Sequence, residues 1–259
     1  MMPYQIIWES IVAGMIASLA CGMGVLPLLL KRLDPREHTG IGYGFAGGMM
    51  FSASVYNLIL PGLTLGQYAF SFAQVLPVLS GILLGALFLW VTDHLIGEGE
   101  NLAHTFWKQL GGRAQILIFL VMSIHSIPEG IAVGVGFASE EVYSGNLGLY
   151  IAIAISIHNI PEGLALGIPL RAAGVSIQRA FWMAFLTSLP QPIAAVPAAV
   201  LSWLLKPLMP IMMGFAAGAM IFLILLEMIP AALHTEKPVR IAWAFIFGFS
   251  LMLLVQVVL

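Results

Sequence analysis

Two histidines and two glutamates in this 259-residue chain have the types and spacing that hold a metal cation. His125 stands four residues before Glu129, and His158 four residues before Glu162. On a helix that spacing stacks both side chains on one face, about one turn apart. The surroundings repeat as well: SIHSIPEGIAVG over 123–134 and SIHNIPEGLALG over 156–167 agree at nine of twelve positions, 33 residues apart. Both copies lie inside long apolar stretches, where a carboxylate is costly unless something offsets it. Two neutral imidazoles and two carboxylates supply a charge of minus two, enough to cancel one divalent cation. Without an ion, two facing carboxylates repel, so one takes up a proton that metal entry would expel. The donor set is borderline in softness and suits Zn²⁺, Fe²⁺, Co²⁺, Mn²⁺, Ni²⁺ or Cd²⁺ better than Cu⁺. A pair of buried His–Glu hydrogen bonds that only fix helix packing is the plainer reading of one copy. Two matched copies count against it.

The residues between and after the ligands suit two helices in close contact. Pro128 and Pro161 remove an N–H, free the carbonyls of Ile124 and Ile157, and are expected to bend each helix. Gly130, Gly134, Gly163 and Gly167 form GxxxG stripes that let helices approach. Composition says what kind of helices these are. Sixty per cent of the chain is hydrophobic and 8% charged, against about 25% charged in a soluble domain. An all-α, multi-pass integral membrane protein follows. The net charge of −2 argues against a nucleic-acid partner, and Cys21, the single cysteine, excludes a thiolate cluster. Residues 1–5 lack the basic start of a cleaved signal, so the first apolar run, 6–30, is expected to stay as a helix.

At about 20 residues per span, eight transmembrane helices are expected over 6–30, 40–62, 73–96, 114–137, 147–169, 178–204, 209–232 and 239–259. Together they make a single transporter-sized domain, 1–259. Alternate loops then carry Lys31, Arg32 and Arg36, Lys108 and Arg113, Arg171 and Arg179, and Lys237 and Arg240. Nine of the ten basic residues fall on that side, with Lys206 opposite. The positive-inside rule puts both termini outside the cytoplasm. Glu140 and Glu141 then face outward, either as an ordinary solvated loop or as a lure for cations. A second repeat aligns 44–63 with 214–233 without gaps, seven of twenty positions matching, and pairs Asn57 with Glu227. The charge count runs the two copies in opposite directions. That is the signature of an inverted repeat, suited to alternating access around a midplane site. Shared glycine packing is the competing explanation.

With its two HxxPEG motifs at 125–130 and 158–163, eight spans and outer termini, the chain resembles the ZIP (Zrt/Irt-like) family of divalent metal transporters. Segments such as GFAGGMMFSASVYNLILPGL resemble its bacterial GufA-like branch. The resemblance implies uptake of zinc or a related divalent metal into the cytoplasm, through a homodimer in the cell membrane (plasma or bacterial inner membrane). It implies a 3+2+3 helix arrangement whose fourth and fifth helices bind the metal through His125, Glu129, His158 and Glu162. The metal would be cargo, and no cofactor is implied. A second metal site in the family maps onto Ser126, Asn159 and Gln191. Ser126 stands where Asn is usual and Gln191 where Glu is frequent, so one ion rather than two is expected. Asn57 and Glu227 fall near the family's transport path, as gating or transient contacts or as an ordinary polar pair. Asp93, His94, Glu98, Glu100 and His104 form an acidic, histidine-bearing cluster at the end of the third helix, where the family often receives or senses metal. A solvated loop explains them equally simply. Met49, Met50 and Met220 could line the path.

The competing class is a membrane-embedded metalloenzyme using the same residues. A zinc protease would show HExxH, and a di-iron oxidase would show ExxH pairs with further glutamates. Neither pattern is present in the sequence, so the chain is not expected to be an enzyme. A cation-efflux carrier would have six spans and a soluble C-terminal domain.

Overall fold

Segments that are apolar on every side become helices whose backbone bonds are closed internally, the arrangement hydrocarbon demands. The computed structural model of the protein describes residues 3–29, 39–64, 72–98, 113–140, 146–172 and 174–258, and no strand occurs among them. The helices are α1 (Pro3–Met23), α2 (Thr39–Ala53, extended by Ser54–Ile59 and Leu60–Thr64), α3 (Phe72–Glu98), α4 (Arg113–Ser139) and α5 (Leu147–Ala172). They continue with α6 (two pieces, Ile177–Thr187 and Pro190–Leu204), α7 (Met209–Leu223, extended by Ile224–Met228 and Ile229–Leu233) and α8 (Pro238–Val258).

Six helical stretches among the described residues are long and apolar enough to cross a membrane: Tyr4–Leu29, Val75–His94, Leu147–Ile168, Ile177–Leu204, Lys206–Leu233 and Pro238–Gln256. The chain is a multi-pass membrane protein. Two-thirds of the α5 stretch (67%) is buried but only 22% of those in α3 and α8, so α5 is central and the other two are peripheral. Leu76 and Leu83 on α3 and Val239 and Phe247 on α8 are exposed, as residues facing lipid tails would be.

The close helix pairs are α1 with α5, α4 with α6, α2 with α8, and α3 with α7. Contacts along each pair give its direction. Cys21 meets Gly163 and Val25 meets Gly167, so α1 and α5 run parallel. Gly130 meets Gln191 and Gly134 meets Ala195, so α4 and α6 do too. Gly44 with Ile241 and Gly48 with Phe245 make α2 and α8 parallel; Gly81 with Ile211 and Gly85 with Phe215 do the same for α3 and α7. Across these pairs the sense reverses. Gly47 faces Ile224 while Gly62 faces Met213, and Gly14 faces Pro192 while Ser18 bonds Ser188, so α2 opposes α7 and α1 opposes α6. Helix α4 likewise opposes α5, with Gly136 against Ile151 and Glu129 against His158.

Exchanging α1 with α6, α2 with α7, α3 with α8 and α4 with α5 therefore maps one set of contacts onto the other. A local feature obeys the same exchange. Helices α2 and α7 each loosen into a π-helical stretch, over Ser54–Ile59 and Ile224–Met228. In the alignment of 44–63 with 214–233, Ser54 falls on Ile224, so both stretches start at the same repeat position. Such wide turns are rare and concentrate at functional positions.

Candidate metal site

The repeated motifs occupy the middle of α4 and α5, the antiparallel central pair. Both helices continue through Pro128 and Pro161. The freed carbonyls expected there do not end either helix, because each proline removes one internal bond while the turns on both sides hold. The break lies elsewhere. Helix α6 stops at Thr187 and resumes at Pro190, and the carbonyls released at this step are taken by serines of its neighbours. Ser126 Oγ on α4 donates to Thr187 O at 3.0 Å, and Ser18 Oγ on α1 donates to Ser188 O at 2.8 Å. In Ser18→Ala the Ser188 carbonyl keeps the Gln191 N–H, whereas Ser126→Ala leaves the buried Thr187 carbonyl short of a donor and should cost about 1 kcal/mol. That lowers the melting temperature of the detergent-solubilised protein by about 3 °C.

Glu129, His158 and Glu162 come together beside this break. One donor atom from each lies within 4.8 Å of the others, and the residues are 0%, 0% and 3% exposed. His158 Nε2 stands 3.1 Å from Glu129 Oε1. His158 Nδ1 and Glu162 Oε2 are buried without a hydrogen-bond partner. Asn159 Oδ1 is likewise buried without a partner, and an orphaned acceptor such as the Glu162 oxygen costs about 1–3 kcal/mol, which calls for an explanation. A cation beside Glu162 Oε2 would satisfy that oxygen, and two carboxylates with an imidazole are a donor set a borderline divalent metal accepts. His125 belongs to α4, four residues before Glu129; its side chain lies outside the described set.

Two of the flanking polar residues, Asn159 and Gln191, form a connected net with Glu129. Asn159 Nδ2 donates to Ala17 O on α1 at 3.0 Å and to Gln191 Oε1 on α6 at 3.2 Å. Gln191 Nε2 in turn donates to Glu129 Oε2. Asn159 and Gln191 are both fully buried. The family resemblance points to Asn159 and Gln191, but the break in α6 that presents Gln191 to Glu129 falls inside one expected span; its local signal is SLPQP, two prolines within three residues.

The remaining candidates lie apart. Asn57 sits in the α2 π-stretch, is 8% exposed and accepts from Gln256 Nε2 on α8. Glu227 occupies the α7 π-stretch, half-buried, within electrostatic reach of Asp93 and Tyr43. Asp93 and His94 are exposed near the end of α3, with His94 stacked on Trp90 at 6.0 Å. Glu100 and His104 lie outside the described residues, as do Glu141 and the side chain of Glu98. Glu140, just past α4, accepts from the Gly148 N–H at the start of α5 at 2.9 Å. Burial pushes its carboxyl up, while the Gly148 and Leu149 N–H groups pull the other way and Glu9 adds to the rise. Its part in the fold is to cap α5. Met49, Met50 and Met220 are buried in the helix core.

Residues 103–256 match the family model described as ZIP Zinc transporter. The chain belongs to the ZIP family. Relatives agree along most of its length. The zinc transporter GufA of Myxococcus xanthus is 34% identical over 253 residues, covering 93% of this chain and 96% of its own. The zinc transporter ZIPB of Bordetella bronchiseptica is 33% identical over 258 residues, covering 96% and 81%. Human zinc transporter ZIP11 is 31% identical over 298 residues, covering 83% and 86%. An Arabidopsis thaliana relative, 36% identical over 225 residues, is much longer, and the chain spans 35% of it. As a ZIP protein the chain is a transporter and not an enzyme.

Proposed function

We propose that this ZIP protein takes up a divalent transition metal, zinc first among them, by binding it between α4 and α5 and exposing it alternately to the two sides of the membrane. The observation that carries the reading is the buried cluster of Glu129, His158 and Glu162, with one donor atom from each within 4.8 Å of the others and Glu162 Oε2 left without a hydrogen-bond partner. His125 completes a four-residue donor set from the repeated motif. The same shell would take iron, manganese, cobalt or cadmium. Its two carboxylates match the charge of one ion, and one ion is bound at a time.

Alternating access draws support from the reversed helix pairs, from the paired π-stretches and from the two sequence repeats. Together they describe an inverted repeat whose two-fold axis passes between α4 and α5, the arrangement of carriers that open to either side around a fixed site. Eight spans in a 3+2+3 arrangement, with both termini outside the cytoplasm and a homodimeric assembly, complete this reading. Asn57 and Glu227, one on each π-stretch, would stand at opposite ends of the route, because α2 and α7 run antiparallel. Asp93 and His94 fall near the Glu227 end.

The test is flux. Purified protein in proteoliposomes carrying a zinc-sensitive dye should show saturable uptake, with other divalent metals competing. Binding expels a proton, so the KM for zinc should rise as pH falls, by roughly tenfold per unit in the acid range if one proton is displaced. A KM flat from pH 5 to 8 would remove the carboxylates from the binding step. Leakage indistinguishable from empty liposomes would remove the transport reading.

A further inference from the structure

We infer that Gln191 is a positioning residue that holds Glu129 to a single metal-binding oxygen and thereby keeps the site to one ion. The inference rests on the reading of Glu129, His158 and Glu162 as the metal site and goes beyond it. Every link in the net is a directed hydrogen bond. Asn159 spends both amide hydrogens, one on Ala17 O and one on Gln191 Oε1. With its oxygen engaged, Gln191 can turn only its NH₂ group toward α4, where it meets Glu129 Oε2. The other oxygen, Oε1, is the one facing His158.

An ion shared between His158, Glu162 and Glu129 Oε1 is compatible with this arrangement. A second ion bridged through Glu129 would need Oε2, and that oxygen is covered by the positive end of an amide dipole, fixed from behind by a second amide. Backbone geometry holds the net in place. Gln191 is the second residue of the resumed half of α6, its N–H bonded to Ser188 O at 3.0 Å, and Gly130 lets the Gln191 backbone lie directly against α4. The break in α6, stitched by Ser126 and Ser18, sets where this amide stands.

Replacing the amide nitrogen by oxygen inverts the logic with almost no change in shape. In a Gln191→Glu protein the introduced carboxylate would still accept from Asn159, but its other oxygen would face Glu129 Oε2. Two carboxylate oxygens in contact need a proton or a cation between them, and when both are ionised the site charge becomes minus three, which favours a second cation at high Zn²⁺. Gln191→Leu removes the clamp without adding charge.

The experiment is equilibrium dialysis of the purified full-length protein against Zn²⁺, with bound metal counted by mass spectrometry. A Glu162→Ala protein serves as the blank for surface sites. Expected are one ion per wild-type chain above the blank and two for Gln191→Glu. Gln191→Leu should bind one, with roughly 10- to 100-fold weaker affinity, the usual cost of losing a partner that orients a ligand. A packing role alone would not add an ion. Two ions in the wild type would overturn the inference. So would a Gln191→Leu protein that binds as tightly as wild type, whatever becomes of the Gln191→Glu variant. A wild type no better than the blank would overturn the metal site itself, and the clamp with it.

Discussion

Glu129→Ala, His158→Ala and Glu162→Ala should each lower zinc affinity and uptake by roughly 100-fold or more. Structural zinc sites owe about 10–16 kcal/mol to about four ligands, so one ligand carries close to 3 kcal/mol, and 1.4 kcal/mol is tenfold in binding. The three changes differ in what they leave behind. Glu162→Ala deletes an orphaned oxygen, so the protein without metal should fold as well as wild type or better. Glu129→Ala strips partners from His158 and from Gln191, and should cost stability besides. Glu129→Gln separates charge from shape, since it keeps the volume and removes the negative charge. Flux and binding lost in step, with normal size-exclusion behaviour, is the expected pattern for Glu162→Ala. Undiminished uptake in that variant would remove it from the ion's route.

Gly163→Val should prevent assembly of the bundle. A side chain at this position would overlap the carbonyl of Cys21, a backbone group of α1 that cannot rotate away. Overpacking a core costs about 1–3 kcal/mol when side chains can yield, and here two helix backbones would have to part. Cys21 and Gly163 lie between the Asn159–Ala17 hydrogen bond and the packing of Gly167 on Val25, so parting them breaks the whole α1–α5 seam. The expected result is a loss of more than about 3 kcal/mol, read as aggregation or a collapse of the monodisperse peak. Gly42→Ala is the control, because a methyl there meets nothing within 4 Å. A Gly163→Val protein as stable as wild type would contradict the packing described for α1 and α5.

These two predictions also mark what was legible in the sequence. Glu129, His158 and Glu162 were legible as candidate ligands because their chemistry is local: His and Glu four apart, twice, in apolar surroundings admit few other readings. Gly163 and Gly167 were legible as small residues, though not the partner helix they admit. The repeat of 44–63 in 214–233 was legible as letters, and the paired π-stretches at Ser54 and Ile224 give it a physical counterpart that hydrophobic periodicity cannot reveal. The break in α6 was passed over although SLPQP marks it, because Leu186, Leu189 and the surrounding apolar residues read as one continuous span. A helix interrupted by two residues keeps its hydropathy while its hydrogen bonds change hands. For the same reason the net from Ala17 through Asn159 and Gln191 to Glu129 escaped reading. It joins four helices, and no spacing along a chain encodes which amide meets which carboxylate.

The measurement that tests the metal site most directly is anomalous diffraction at the zinc absorption edge from crystals of the zinc-loaded protein. The account predicts a strong anomalous peak within about 2.0–2.2 Å of Glu129, His158 and Glu162, and none at the same place in crystals of Glu162→Ala. Zinc found on other residues, with no peak between α4 and α5, would contradict it.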